Sequence, residues 1–203
     1  MPKKLVYGVG INDADYIVQV KVTVSAKGEK VRQKRVWTCP FYVKWTNMLV
    51  RCYSDKYQQK YPTYVGCIVC EDWLVFSNFK HWMVKQDYVG NQLDKDILFK
   101  DNKIYSPETC TFISSALNTF LTDRISKRGN HPLGVSLKGA GKYQAQCNNG
   151  RGGNIYLGIY YTPEEAHEAW RAYKHSLAVE LAKQQTDPRV AEALVVRYAK
   201  EET

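Results

Sequence analysis

The sequence predicts an α+β chain: a small strand–strand–helix unit with flanking helices, followed by a three-stranded antiparallel sheet packed on a helix. Three observations carry this. Apolar residues recur at helical spacing after Pro40 and again after Pro163. Three short alternating runs, divided by clusters of Gly and Asn, fill 134–160. Between these regions, strand-like runs at 93–98 and 109–113 are separated by a polar loop and followed by a helix start. A chain of 203 residues has room for one ordinary domain or two small ones.

Residues 1–37 read as a β-rich arm or hairpin, because 16–24 alternates apolar and polar residues and Lys27-Gly28 breaks the run. In the region 38–126, Pro40 opens a helix with Phe41, Trp45, Met48, Leu49 and Cys52 on one face. A polar loop ending near Pro62 and a short strand at 65–70 come next. A second helix then carries Trp73, Phe76, Phe79 or His81, and Met83. From 92 the expectation is strand, long loop, strand, helix, with Leu93, Lys95 and Ile97 facing opposite to Asp94, Asp96 and Leu98. Ser114 is the expected cap of a helix bearing Leu117, Asn118, Phe120 and Leu121. Residues 127–132 form a basic hinge, 133–183 the sheet-and-helix module, and 184–203 a last helix with Val190, Leu194, Val195 and Tyr198 inward.

Within 133–183, strands at 134–137, 142–148 and 155–160 are joined by Gly139-Ala140-Gly141 and by the Asn/Gly run 148–153. The helix after them has a nearly complete start signal: Thr162 as N-cap, Pro163 at the first position, and Glu165 closing a capping box. Its expected apolar face is Ala166, Ala169, Trp170, Tyr173, Leu177 and Leu181. Alternation places Val135, Leu137, Tyr143, Ala145, Cys147, Ile155, Leu157 and Ile159 on the covered face of the sheet. The free face collects Ser136, Lys138, Lys142, Gln144, Gln146, Asn148, Asn154 and Tyr156, with Arg151 in the adjoining turn. Such a face offers cations to phosphates, amides to base edges and an aromatic for stacking, on a strand array narrow enough for a major groove.

The charge agrees with that assignment. The formal net charge is +9, concentrated in the first 60 residues and in 127–161, where Lys127, Arg128, Lys138, Lys142 and Arg151 meet no acidic residue. Separated basic zones suit an extended polyanion such as double-stranded DNA better than a small acidic ligand; an ordinary solvated surface is the plain alternative. No apolar run approaches a membrane span and the start lacks the apolar core of a signal peptide, so a cytoplasmic protein is expected, with no membrane partner. Six scattered cysteines suit a reducing compartment. Cys67 and Cys70 form the single C-x-x-C pair, half of a zinc site, which Cys52, His81 or Cys110 would have to complete; buried apolar cysteine, rather than zinc, is the expectation.

Gly134-Val135-Ser136, Lys142-Tyr143-Gln144-Ala145-Gln146, Tyr156-Leu157-Gly158-Ile159-Tyr160 and Thr162-Pro163-Glu164-Glu165-Ala166, with Ala169, Ala172 and Tyr173 beyond, resemble the Apetala-type (ethylene-response-factor) DNA-binding domain of plants and phage endonucleases. Ser136 stands where that family often has arginine and Tyr156 where it often has tryptophan, so base preference does not carry over. The run 93–98, then 102–110 and Asn118, resembles a phage HNH-type homing-endonuclease core, as do 45–53 and 61–64. That resemblance implies a ββα-metal unit in which one divalent ion is held against a phosphate and a histidine activates water. Asp94 matches the metal-binding aspartate and Asn118 the helix ligand, while Lys95 occupies the histidine position and Thr109 the position of the loop-ordering asparagine. Lysine activates water poorly unless its pKa is strongly lowered. Asp94 and Asp96, expected on one strand face, nevertheless offer oxygens suited to Mg2+ or Mn2+; His131, in the hinge that follows, reads first as a loop residue touching phosphate and second as a substitute base.

Three functions follow. One is a phage-type DNA-binding protein with an HNH-like centre that hydrolyses phosphodiesters with metal assistance, through Asp94, Asp96, Asn118 and Lys95. Another is a non-cleaving transcriptional regulator or repressor built the same way. The third is an inhibitor whose basic surface meets an acidic protein partner.

Overall fold

The structure is a computed structural model that describes residues 5–24, 32–122, 131–149 and 153–200. Of the expected DNA contacts, Lys127, Arg128 and Arg151 lie outside the described residues, as does most of the hinge. Helices and strands are mixed as in an α+β protein, in two compact units. The first takes in the described residues up to Asp96 together with Lys100–Ile113; the second takes in Ile97–Phe99 and the described residues from Ser114 onward. The helix at 115–121 thus belongs with the C-terminal sheet module, whereas its position in the sequence groups it with the strands before it.

The first unit begins with the expected hairpin, β1 (Gln19–Val24) antiparallel to β2 (Arg32–Thr38). Helix α1 (Pro40–Tyr53) buries Tyr42, Trp45, Met48, Leu49 and Cys52. The Trp45 indole donates to the carbonyl of Trp73 across this core at 2.7 Å. The stretch expected as a polar loop is instead helical, α2 (Asp55–Lys60). The Ser54 hydroxyl accepts from the N–H of Tyr57, and Asp55 and Lys60 complement the two ends of the helix dipole. The stripe Trp73, Phe76, Phe79 and Met83 is buried as expected, but it spans a 3-10 turn (Glu71–Leu74) and α3 (Phe76–Met83); His81 is exposed.

Two minimal sheets complete this unit. The strand expected at 65–70 shrinks to β3 (Ile68–Val69), which pairs in parallel with β5 (Ile104–Tyr105), a strand within the expected loop. β4 (Gln92–Asp94) pairs antiparallel with β6 (Thr111–Ile113).

In the second unit, α4 (Ser115–Leu121) is capped by Ser114, whose hydroxyl accepts from the N–H of Leu117 at 3.1 Å. The sheet has the order β7 (Val135–Gly139), β8 (Lys142–Asn148), β9 (Asn154–Tyr160), antiparallel throughout. Gly139, Ala140 and Gly141 all adopt positive φ in the first turn. Helix α5 (Pro163–Ala182) opens with the complete capping box: Thr162 accepts from the N–H of Glu165 at 3.2 Å, and the Glu165 carboxylate accepts from the N–H of Thr162 at 3.3 Å. Helix α6 (Pro188–Arg197), capped by Asp187, packs on α5.

The apolar pattern of this unit needs three corrections. Along α5 the buried line is Ala166, Trp170, Lys174, Ala178 and Ala182, so Tyr173, Leu177 and Leu181 flank the seam half-buried. On α6, Val190, Leu194 and Tyr198 are buried, but Val195 is 37% exposed. In the sheet, Val135, Ala145 and Cys147 are buried, whereas Leu137, Ile155 and Ile159 are exposed. Leu137 and Ile155 lie near strand ends. Ile159 is displaced by a bulge: the β8–β9 register shifts between Ala145 and Gln146, where Gly158 sits at φ +130°. One extra residue inverts the alternation beyond it, so Ile159 pairs with Gln144 and joins the opposite face.

Candidate nucleic-acid interface

With α5 covering one face of the β7–β9 sheet, the register settles what the other presents. Ser136 pairs with Gln144, Gln144 with Ile159, Gln146 with Tyr156, and Asn148 with Asn154. Paired residues in an antiparallel sheet share a face. Those seven positions therefore form one continuous surface: Ser136, Gln144, Gln146, Asn148, Asn154, Tyr156 and Ile159. Gln146, Asn148, Asn154 and Tyr156 are exposed, Tyr156 by 60%, while Ser136 and Gln144 are half-buried. The Gln144 amide donates to the Gln146 side-chain oxygen at the long limit of 3.5 Å, a contact weak enough to be exchanged for a ligand.

The cations flank this face. Lys138 and Lys142 are exposed where β7 turns into β8, and the Lys142 ammonium stands 5.3 Å from the ring centroid of Tyr161. Tyr161 is 76% exposed at the end of β9. Neither Tyr161 nor Ile159 stands out in the sequence as a surface residue: Ile159 follows the buried parity until the bulge, and Tyr161 reads as the approach to the helix cap. His131 stands edge-on to the ring of Tyr143, with centroids 5.5 Å apart.

The HNH-like segment is arranged differently from expectation. Leu93, Lys95 and Ile97 are buried and Asp94, Asp96 and Leu98 are not, as the alternation predicts. The expected shared strand face of Asp94 and Asp96 does not form, because β4 stops at Asp94 and the chain turns. An Asp94 carboxylate oxygen accepts from the backbone N–H of Asp96 at 2.8 Å. Lys95, only 5% exposed, points inward; its ammonium donates to the Asp96 carboxylate and to the carbonyl of Asn102. Asn102 orders the loop in turn, donating to the carbonyls of Lys95 and Ile104 and accepting from the N–H of Ile104. Thr109 adds a bond from its hydroxyl to the Ile104 carbonyl. Loop ordering is therefore shared by Asn102 and Thr109. Asn118 lies in α4 of the second unit, half-buried, its backbone N–H donating to the carbonyl of Ser114.

Of the three expected ligands, Asp96 is held in an ion pair. An ammonium already neutralises Asp96, and a second cation beside it would be repelled. Among the described residues, no group of three or more His, Cys, Asp or Glu side chains is placed to hold a metal. The cysteines behave as core: burial pushes the thiols of Cys52 and Cys110 up to about 12 and raises those of Cys67 and Cys70 as well. Burial thus favours the protonated, less nucleophilic form of these thiols.

No protein-family model, curated protein or solved structure matches this chain. No helix among the described residues is long and apolar enough to cross a membrane.

Proposed function

We propose that this chain binds double-stranded DNA through the free face of the β7–β9 sheet, and that it acts as a binding protein rather than a nuclease. The observation that carries the reading is the composition of that face. Exposed amides of Gln146, Asn148 and Asn154 lie beside Tyr156, with Lys138 and Lys142 at one end, on a sheet only three strands wide. Amides suit base edges, lysines suit phosphates, and so narrow a sheet suits a major groove. The formal charge of +9 favours the polyanion over a neutral partner.

The inward Lys95 favours binding over cutting. At the position of the water-activating base stands a buried ammonium that already donates to two oxygens. A group in that state has no lone pair with which to take a proton from water.

The test is duplex binding by fluorescence anisotropy across a salt series. The reading expects affinity to fall steeply with salt, and Lys142→Ala to reduce the slope by about one unit. Salt-insensitive duplex binding, or none, with tight binding of an acidic protein instead, would replace it with the inhibitor reading.

A further inference from the structure

The β1–β2 hairpin is a basic ribbon that the sheet-face reading leaves unused. From Val20 to Val24 and from Arg32 to Trp37 every described residue is exposed, so neither face of the ribbon is covered. Its strands carry Lys21, Arg32, Lys34 and Arg35 and no acidic residue. The register places Lys21 directly opposite Arg35, two like charges on one face, while Arg32 and Lys34 pair with Val24 and Val22 on the other. Like charges directly opposite destabilise a hairpin, and an uncovered two-stranded ribbon is marginal to begin with. The arrangement disfavours the free hairpin and becomes favourable once an anion lies along it.

We infer that the β1–β2 hairpin is a second duplex-binding element, a two-stranded ribbon that enters a DNA groove with its cations on the flanking phosphates. Charge complementarity selects the occupant: four cations and no acidic residue along both strands match the continuous phosphate backbone of a duplex, whose major groove admits a two-stranded ribbon. Val20, Val22 and Val24, all exposed, form an apolar row along one face of β1 that can lie against base edges and thymine methyl groups. The inference rests on the duplex-binding reading above, and it adds a contact in the first unit to one in the second.

The test compares two charge-matched triple variants of the full chain in duplex binding across a salt series. Lys21→Gln/Lys34→Gln/Arg35→Gln removes three exposed hairpin cations; Lys56→Gln/Lys85→Gln/Lys100→Gln removes three exposed cations elsewhere in the same unit. The hairpin variant is expected to lower the salt slope by about three units, while the control leaves it close to wild type. Circular dichroism establishes that both remain folded. Equal losses in the two variants would mean that only net charge counts, and would overturn the inference. So would an unchanged slope in the hairpin variant while Lys142→Ala still weakens binding, an outcome that leaves the sheet reading standing. Absence of duplex binding by the wild-type chain would overturn both.

Discussion

The ammonium of Lys174 donates to the carbonyl oxygen of Phe120 at 2.6 Å and stands 3.6 Å from the centroid of the Phe120 ring. Lys174 is 7% exposed in the middle of α5, and Phe120 lies in the last turn of α4, whose final carbonyls have no partners within the helix. A lysine is well suited to such a helix end, by hydrogen bond and by dipole. The Tyr198 ring meets Phe120 edge-on at 5.9 Å, so α4, α5 and α6 converge on this side chain.

Lys174→Ala is expected to destabilise the second unit by about 2–4 kcal/mol, since it leaves a cavity and unpairs a buried carbonyl. The same contact predicts where the module can be cut. A fragment starting at Ser114 keeps the Phe120 carbonyl under Lys174, and one starting at His131 does not. Urea unfolding should show the longer fragment to be the more stable; equal midpoints would mean that α4 contributes nothing to this unit.

Gly134 is fixed by two independent constraints. Its φ is +75°, and a Cβ there would lie 2.0 Å from the Trp170 indole. Gly134→Ala should therefore cost more than about 2 kcal/mol, combining left-handed backbone strain with overpacking of the seam between sheet and α5. Thermal unfolding checks this, and an unchanged Tm would show that β7 does not approach Trp170 so closely.

The buried Lys95 predicts that placing a histidine at this position, as the resemblance to HNH endonucleases would suggest, creates no nuclease activity. Lys95→His should not nick supercoiled plasmid with Mg2+ or Mn2+, and should lose about 2–3 kcal/mol of stability because Asp96 and the Asn102 carbonyl lose a shared donor. Duplex affinity should stay close to wild type. Nicking by Lys95→His, abolished by adding Asp94→Ala, would show that the loop opens into a catalytic arrangement and would reverse the reading.

How much of this could be read from sequence varies from residue to residue, and the reason is the range of the interaction that decides each one. The Thr162–Glu165 capping box and the Ser114 cap are closed within four residues, so spacing alone reveals them. The three strands of the C-terminal sheet were legible from alternation and from glycine-rich turns. The destiny of Ile159 was not, because a single bulge at Gly158 inverts every later residue and leaves no mark in composition. Lys174 reads as a surface residue until Phe120, 54 positions away in sequence, supplies its acceptor. Lys95 shares a face with Leu93 and Ile97, as the alternation predicts, but alternation does not show where a buried charge finds its partners; only the Asn102 turn does. Helix α2 was missed because two lysines, two glutamines and an aspartate look like a loop when the Ser54 cap is not counted.

The central claim is that the free face of the β7–β9 sheet is the DNA-binding surface, and backbone amide chemical shifts of the isotope-labelled chain titrated with a short DNA duplex test it most directly. The account predicts the largest perturbations at Ser136, Lys142, Gln144, Gln146, Asn148, Asn154 and Tyr156, with the outward residues of α5 such as Glu168, Ala172 and Glu180 nearly unmoved. Perturbations confined to α5 and α6, or a sheet that does not respond while the chain is demonstrably bound to duplex, would contradict it.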